Sequence, residues 1–232
     1  MDNLDGIVSL LLACIEVVLL VNLVIFADKN KLNVLVFAII LLLAGYQVIE
    51  YLICGIEIES SRMAYTAFAV ISSLPPLSLL LVLTYLKIRF KPAPLIFLPA
   101  ILFVIYYASV INEFAVVKCS VLYASYNYPL GTLYGAFYYI PILISFFLLY
   151  RNINNRDFPV KQTRLLITGH YFIIIPVIAS FTLLLLNLPG LVHSIESILC
   201  KFAFGYAVAL GFFTLNNRND NKDPEIPQAR PR

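Results

Sequence analysis

Five ionisable side chains fall inside long apolar runs: Glu16, Glu50, His170, Glu196 and Lys201. In hydrocarbon such groups are costly, and they face a bundle interior, a cavity or a partner. The carboxylates are acid, base or counter-ion types, Lys201 is a buried cation, and His170 is a base or ligand type. Gln47, Glu50, Cys54 and Glu57 recur at i, i+3, i+7 and i+10, which puts them on one helical face. Tyr65, Ser72 and Pro76 form a similar stripe, as do Tyr134, Tyr138, Pro141 and Ser145. These stripes predict an interior that is polar and aromatic toward one end, with helix-on-helix packing as the plainer alternative.

Glu196 and Lys201 stand five residues apart, about 140° around a helix, so they do not pair with each other. Lys201 therefore takes a partner from another helix or snorkels to the headgroups. At about 1.5 Å of rise per residue, Glu50 matches Lys201 in depth, and Glu16, near the midplane, is the second choice. The candidate ligand-binding set is Glu50, Lys201, Glu16, Gln47, Glu196 and Tyr138. His170 reads as a hydrogen-bonded packing residue. No catalytic set is assigned: H-E-x-x-H and G-x-S-x-G are absent, and His170 is predicted at the opposite end from Cys200 and the carboxylates. The four cysteines lack C-x-x-C spacing, so neither a metal nor another cofactor is expected.

The elements that must position these residues follow from composition. The chain has 232 residues, 61% apolar and 12% charged, with a mean hydropathy of +0.90. A soluble domain runs at about 45–50% apolar and about 25% charged, so that class is excluded, as are disordered chains and disulfide-stapled miniproteins. A net charge of +3 is too small to argue for nucleic acid. Seven segments reach the length of about 20 apolar residues that a spanning helix needs: 6–26, 33–55, 64–86, 93–111, 133–150, 165–187 and 195–215. Strand alternation is absent, and open strands cannot cross lipid. The expected fold class is an all-α membrane protein, a seven-transmembrane helix bundle.

Thirteen of the 16 basic residues fall in the loops after spans 1, 3 and 5 and in the segment after span 7. The positive-inside rule then places the N-terminus outside and the C-terminus in the cytoplasm of a multi-pass protein of the cell membrane. Residues 1–217 form one transmembrane domain, and the first span reads as retained rather than as a cleaved signal. The polar, Pro-containing segment 218–232 reads as a disordered cytoplasmic tail. Pro75-Pro76, Pro141 and Pro176 should bend their helices, and Ala203, Ala207 and Gly211 offer a close-packing face. The long outer loop 112–132 carries Tyr123, Tyr126 and Tyr128 and is expected to lie over the bundle mouth. Cys119 in that loop and Cys54 at the outer end of span 2 could bridge in an oxidising environment, with two unpaired thiols as the alternative.

KFAFG at Lys201–Gly205 is similar to the retinal-lysine stretch of microbial rhodopsins. The chain departs from that family in having no tryptophan, no acidic counter-ion pattern in span 3 and a shallow lysine, so a retinal pigment is disfavoured. SSLPPLSLLLVLTYLK at 72–87, with the basic loop YRNINNRDFPVKQTR, resembles the seven-helix input region of bacterial sensor histidine kinases. QVIE in span 2 and SILC in span 7 also resemble small stand-alone bacterial seven-helix proteins of unknown function. The resemblance implies a sensor or receptor-like bundle that binds a small ligand in an outward-facing polar pocket and signals to a cytoplasmic protein. No kinase sequence follows Asn217, so the resemblance implies an output half that is a partner or absent. Two alternatives stay open: a transporter or channel, suggested by intramembrane charge, and an intramembrane enzyme acting on a lipid-like substrate.

Overall fold

Polar caps and prolines set the limits of the helices. A computed structural model describes residues 5–88, 93–121, 124–155, 158–186 and 189–222. Within them lie α1 (Ile7–Phe26), α2 (Lys31–Cys54), α3 (Ser61–Ser72), α4 (Leu74–Tyr85), α5 (Leu98–Ser109), α6 (Gly131–Arg151), α7 (Val160–Leu185) and α8 (Pro189–Lys222). Asn30 caps α2 by accepting the N–H of Asn33 at 2.8 Å, and Ser60 caps α3 by accepting that of Met63 at 3.2 Å. The third apolar run, expected as one helix, is two: α3 stops at Ser72, and Pro75 and Pro76 sit in the first turn of α4. Proline lacks the N–H that would continue the ladder, yet fits a helix start, so the run breaks at Ser73.

Among the described residues, five helices are long and apolar enough to cross a membrane, with α3 and α4 counted together, and Pro94–Ser109 is a shorter apolar one. The protein is thus mostly helical, in keeping with a membrane protein by length and composition. Its exterior agrees with this. Leu11, Val18, Val21 and Val24 on α1, Ile105 on α5, Phe147 on α6 and Ile175 on α7 all stand exposed. A monomer in water rarely presents apolar surface on this scale. Helix α8 continues to Lys222, past the boundary expected at 217, and residues 223–232 lie outside the described residues.

The core is centred on α2, whose Val36, Ile39, Ile40 and Leu43 pack with Leu81 and Val82 of α4 and Leu210 and Phe213 of α8. Helices α1, α2 and α8 touch one another, as do α7 and α8. The α7–α8 approach depends on glycine: a Cβ on Gly169 would lie 2.8 Å from the Tyr206 ring, and one on Gly205 would lie 2.6 Å from that of Phe172. The tyrosine and serine stripes of the third and fifth runs face each other, with the Ser72 and Tyr134 hydroxyls 3.0 Å apart.

The segment between α5 and α6 holds an element not anticipated from sequence, a two-stranded antiparallel hairpin of β1 (Ala115–Cys119) and β2 (Ala124–Asn127). It lies against α2, α3 and α8. Phe114, Tyr126 and Tyr128 join Phe68, Tyr107 and Tyr134 in an aromatic cluster, with edge or tilted ring contacts between 4.5 and 6.0 Å around Phe68. Tyr123 lies outside the described residues.

Candidate functional site

Helix α8 projects Lys201 toward α1 and α2, where three oxygens meet its ammonium. Lys201 Nζ donates to Ser9 Oγ, Gln47 Oε1 and Glu50 Oε2, each at 2.7 Å. Gln47 and Glu50 are one turn apart on α2, so a single buried face supplies two of the acceptors. An ammonium has three donors and no acceptor, and all three are used. Ser9, Gln47 and Glu50 are fully buried, and the Lys201 side chain is only 10% exposed. A salt bridge stripped of water this way depends on such complete hydrogen bonding to offset desolvation.

The second carboxylate oxygen of Glu50 is also committed. Glu50 Oε1 accepts the backbone N–H of Ala124 at 2.9 Å, so the residue that holds Lys201 also holds the start of β2. The hairpin is fastened at further points. Cys54 at the end of α2 forms a disulfide with Cys119 at the end of β1, with Cα atoms 5.4 Å apart. Gly6 donates its N–H to Ser120 O at 3.1 Å, and Ser61 Oγ donates to Phe114 O at 2.8 Å. Gly6 has φ +72°, and a Cβ there would lie 3.2 Å from Gly55 N, so glycine suits both the backbone and the space. The pair is roofed by this hairpin. Neither of the two cavities described below is lined by Ser9, Gln47, Glu50 or Lys201.

Of the residues singled out from sequence, the structure brings together Glu50, Lys201 and Gln47. Glu16 is on the same α1 face as Ser9, two turns along, and is fully buried. Among the described residues neither of its carboxylate oxygens has a hydrogen-bond partner. Tyr138 is not at the pair; it lines a small cavity near the centre of the bundle. The side chain of Glu196 lies outside the described residues. Sequence reading missed Ser9, although its spacing of seven from Glu16 marks a shared face, and the Ala124 backbone donor, which no sequence pattern announces. Among the described residues no three His, Cys, Asp or Glu side chains cluster in a way that could hold a metal ion.

A second polar cluster sits deeper. His170 Nδ1 is 2.8 Å from Leu166 O, which can only accept, so this nitrogen carries the proton. With the imidazole neutral, Nε2 is an acceptor, and Ser78 Oγ, 3.2 Å away, donates to it. The Tyr206 hydroxyl, 2.8 Å from Ser78 Oγ, must then donate to Ser78. The chain of donors runs Tyr206 to Ser78 to His170, joining α8, α4 and α7. A serine donating to an oriented histidine is a nucleophile–base arrangement, but the adjoining cavity, lined by Ser78, Tyr206, Tyr138 and Pro75, measures about 20 Å³. That is room for one water and not for an acyl substrate. We read the cluster as a lock between helices, in line with a packing role for His170. A separate cavity of about 480 Å³ is an apolar groove between α5 and α6 lined by Leu102, Phe103 and Phe137.

Comparison with protein-family models, with curated proteins and with solved structures finds no match for this chain.

Proposed function

We propose that the chain is a multi-pass protein of the cell membrane with seven spans, its N-terminus outside and its C-terminus cytoplasmic, acting as a receptor-like sensor. The span count rests on the five long apolar helices, on the short apolar α5 and on the apolar stretch 195–215 within α8. The orientation rests on the basic residues, which favour the loops after α1, α4 and α6 and the segment after the apolar part of α8. In this frame the hairpin lies on the outer side.

One observation carries the sensor reading: Glu50 joins an outer hairpin and the last helix through a single buried carboxylate. A small ligand that engages the hairpin or the Lys201 cage must disturb Glu50, and any change at Lys201 is transmitted along α8 to the cytoplasmic end. The ligand site is then a closed one that opens beneath the hairpin, and the output goes to a cytoplasmic signalling protein. A sensor requires such a connection to take two arrangements that its ligand binds unequally.

Spin labels at Lys87 and Asn154, both exposed at the end opposite the hairpin, test this reading. With Cys14 and Cys200 replaced by serine, Glu50→Gln should shift the distance distribution between the labels in nanodiscs. Identical distributions before and after the substitution contradict a signalling role for the pair.

A further inference from the structure

Among the described residues, the centre around Lys201 is one positive charge short. Helix α1 packs against α2 and α8, and among the described residues the charged side chains these three bring together are the buried Glu16 and Glu50 and the part-buried Lys201. Lys201 neutralises Glu50 and has spent all three donors on Ser9, Gln47 and Glu50. Glu16 is left with 0% exposure and two oxygens that find no donor among the described residues. An ionised carboxylate in that position would be buried and unpaired, which is far costlier than the neutral acid. Glu16 lies two turns from Ser9 on the same buried face of α1, and Lys201 is the charge whose field reaches it. No further His, Cys, Asp or Glu cluster is present among the described residues to complete a metal site. A proton bound on Glu16 itself supplies the missing charge and needs no further ligand.

We propose that Glu16 is a proton-binding site coupled to the Glu50–Lys201 pair. With the proton on Glu16, the ammonium stays on Glu50 and the hairpin stays seated through Ala124. When the proton leaves to water, the new carboxylate competes with Glu50 for the ammonium, and Lys201, the partly exposed member of the set, moves inward. Glu50 then loses its countercharge, and its hold on Ala124 changes with it. The inference deepens the sensor reading by naming a proton as one ligand of the centre, and it rests on the chain lying in a membrane.

Infrared difference spectroscopy on the purified full chain in nanodiscs, stepped in pH, reads the carboxylic acid carbonyl band directly. The expected result is a band that disappears on raising the pH, is absent in Glu16→Gln, persists in Glu16→Asp, and titrates at lower pH in Glu50→Gln, where the ammonium has no other carboxylate to hold it. In parallel, hydrogen exchange at the Ala124 amide, corrected for its intrinsic pH dependence, should rise about tenfold or more across the same step in the native chain and not in Glu16→Gln. A band that never titrates, or no band at all, overturns the site. Loss of the band on adding Na⁺ at fixed pH and ionic strength would make the occupant a metal cation and also overturns it. A titrating band with unchanged Ala124 exchange overturns the coupling. None of these failures touches the spin-label result, which is driven by Glu50 and not by Glu16.

Discussion

Glu50 stands 2.7 Å from Lys201 through one oxygen and 2.9 Å from the Ala124 amide through the other. A charge in α2 therefore does two tasks that sequence reading treats as unrelated: it neutralises a cation on α8 and seats the strand β2, which begins 74 residues further along the chain. The loop backbone gains a charge-assisted acceptor, which is stronger than a neutral one. The cation gains a carboxylate whose position is fixed from the other side.

The disulfide supports the same seat. Reduction, or Cys119→Ser, should cost about 2–4 kcal/mol of stability by the usual range for such links. The amides of β1 and β2 should exchange faster while those of α4 and α7 do not. Hydrogen exchange of native and reduced protein in detergent checks both parts. Uniform acceleration through the bundle would show that the disulfide stabilises the whole chain and not the hairpin.

Orientation is open to direct labelling. A cysteine placed at the exposed position Lys118 should react with an impermeant maleimide from outside intact cells, with Cys14 and Cys200 replaced by serine. A cysteine at Asn154 should react only after permeabilisation. The reverse pattern inverts the topology.

Much of the architecture was legible because lipid imposes long, uninterrupted apolar runs, and each run expected from sequence contains a helix. The pairing of Glu50 with Lys201 was legible too, since depth along a helix follows from the rise per residue and opposite charges in hydrocarbon seek each other. The Cys54–Cys119 link was only one of two readings, because sequence carries no Cα separation. The hairpin was hidden: AVVKC and ASYN are short, and a two-stranded ribbon is held by what it docks on. The break at Ser73 follows from Pro75 and Pro76, but a bend and a restart look the same in sequence. Tyr138 shares a helical face with Tyr134, yet it points to the central cavity, because a helical face does not specify which neighbour it meets.

The Ser78–His170–Tyr206 lock makes its own claim. Its members are separated by 92 residues from Ser78 to His170 and by 128 from Ser78 to Tyr206, so no local motif announces it. Tyr206→Phe should remove one donor while Ser78 keeps His170, costing about 0.5–1.5 kcal/mol. His170→Ala should cost more, since it leaves the Ser78 hydroxyl without its acceptor and opens a void among α4, α7 and α8. Thermal unfolding in a common detergent ranks the two. Equal losses, or none, contradict the assigned direction of donors.

The most direct test of the account is a double-mutant cycle on Glu50→Gln and Lys201→Met, read as thermal stability. Glutamine keeps an oxygen for the Ala124 amide, so the first substitution removes charge and leaves the hairpin its acceptor. Each single variant should lose about 3–5 kcal/mol, because it strands a buried charge. The double variant should be more stable than Glu50→Gln alone, so the coupling should exceed the loss of Lys201→Met by itself, about 3–5 kcal/mol. If the double variant instead loses the sum of the two singles, the ammonium and the carboxylate act independently, and the buried pair is not the link between hairpin and helix.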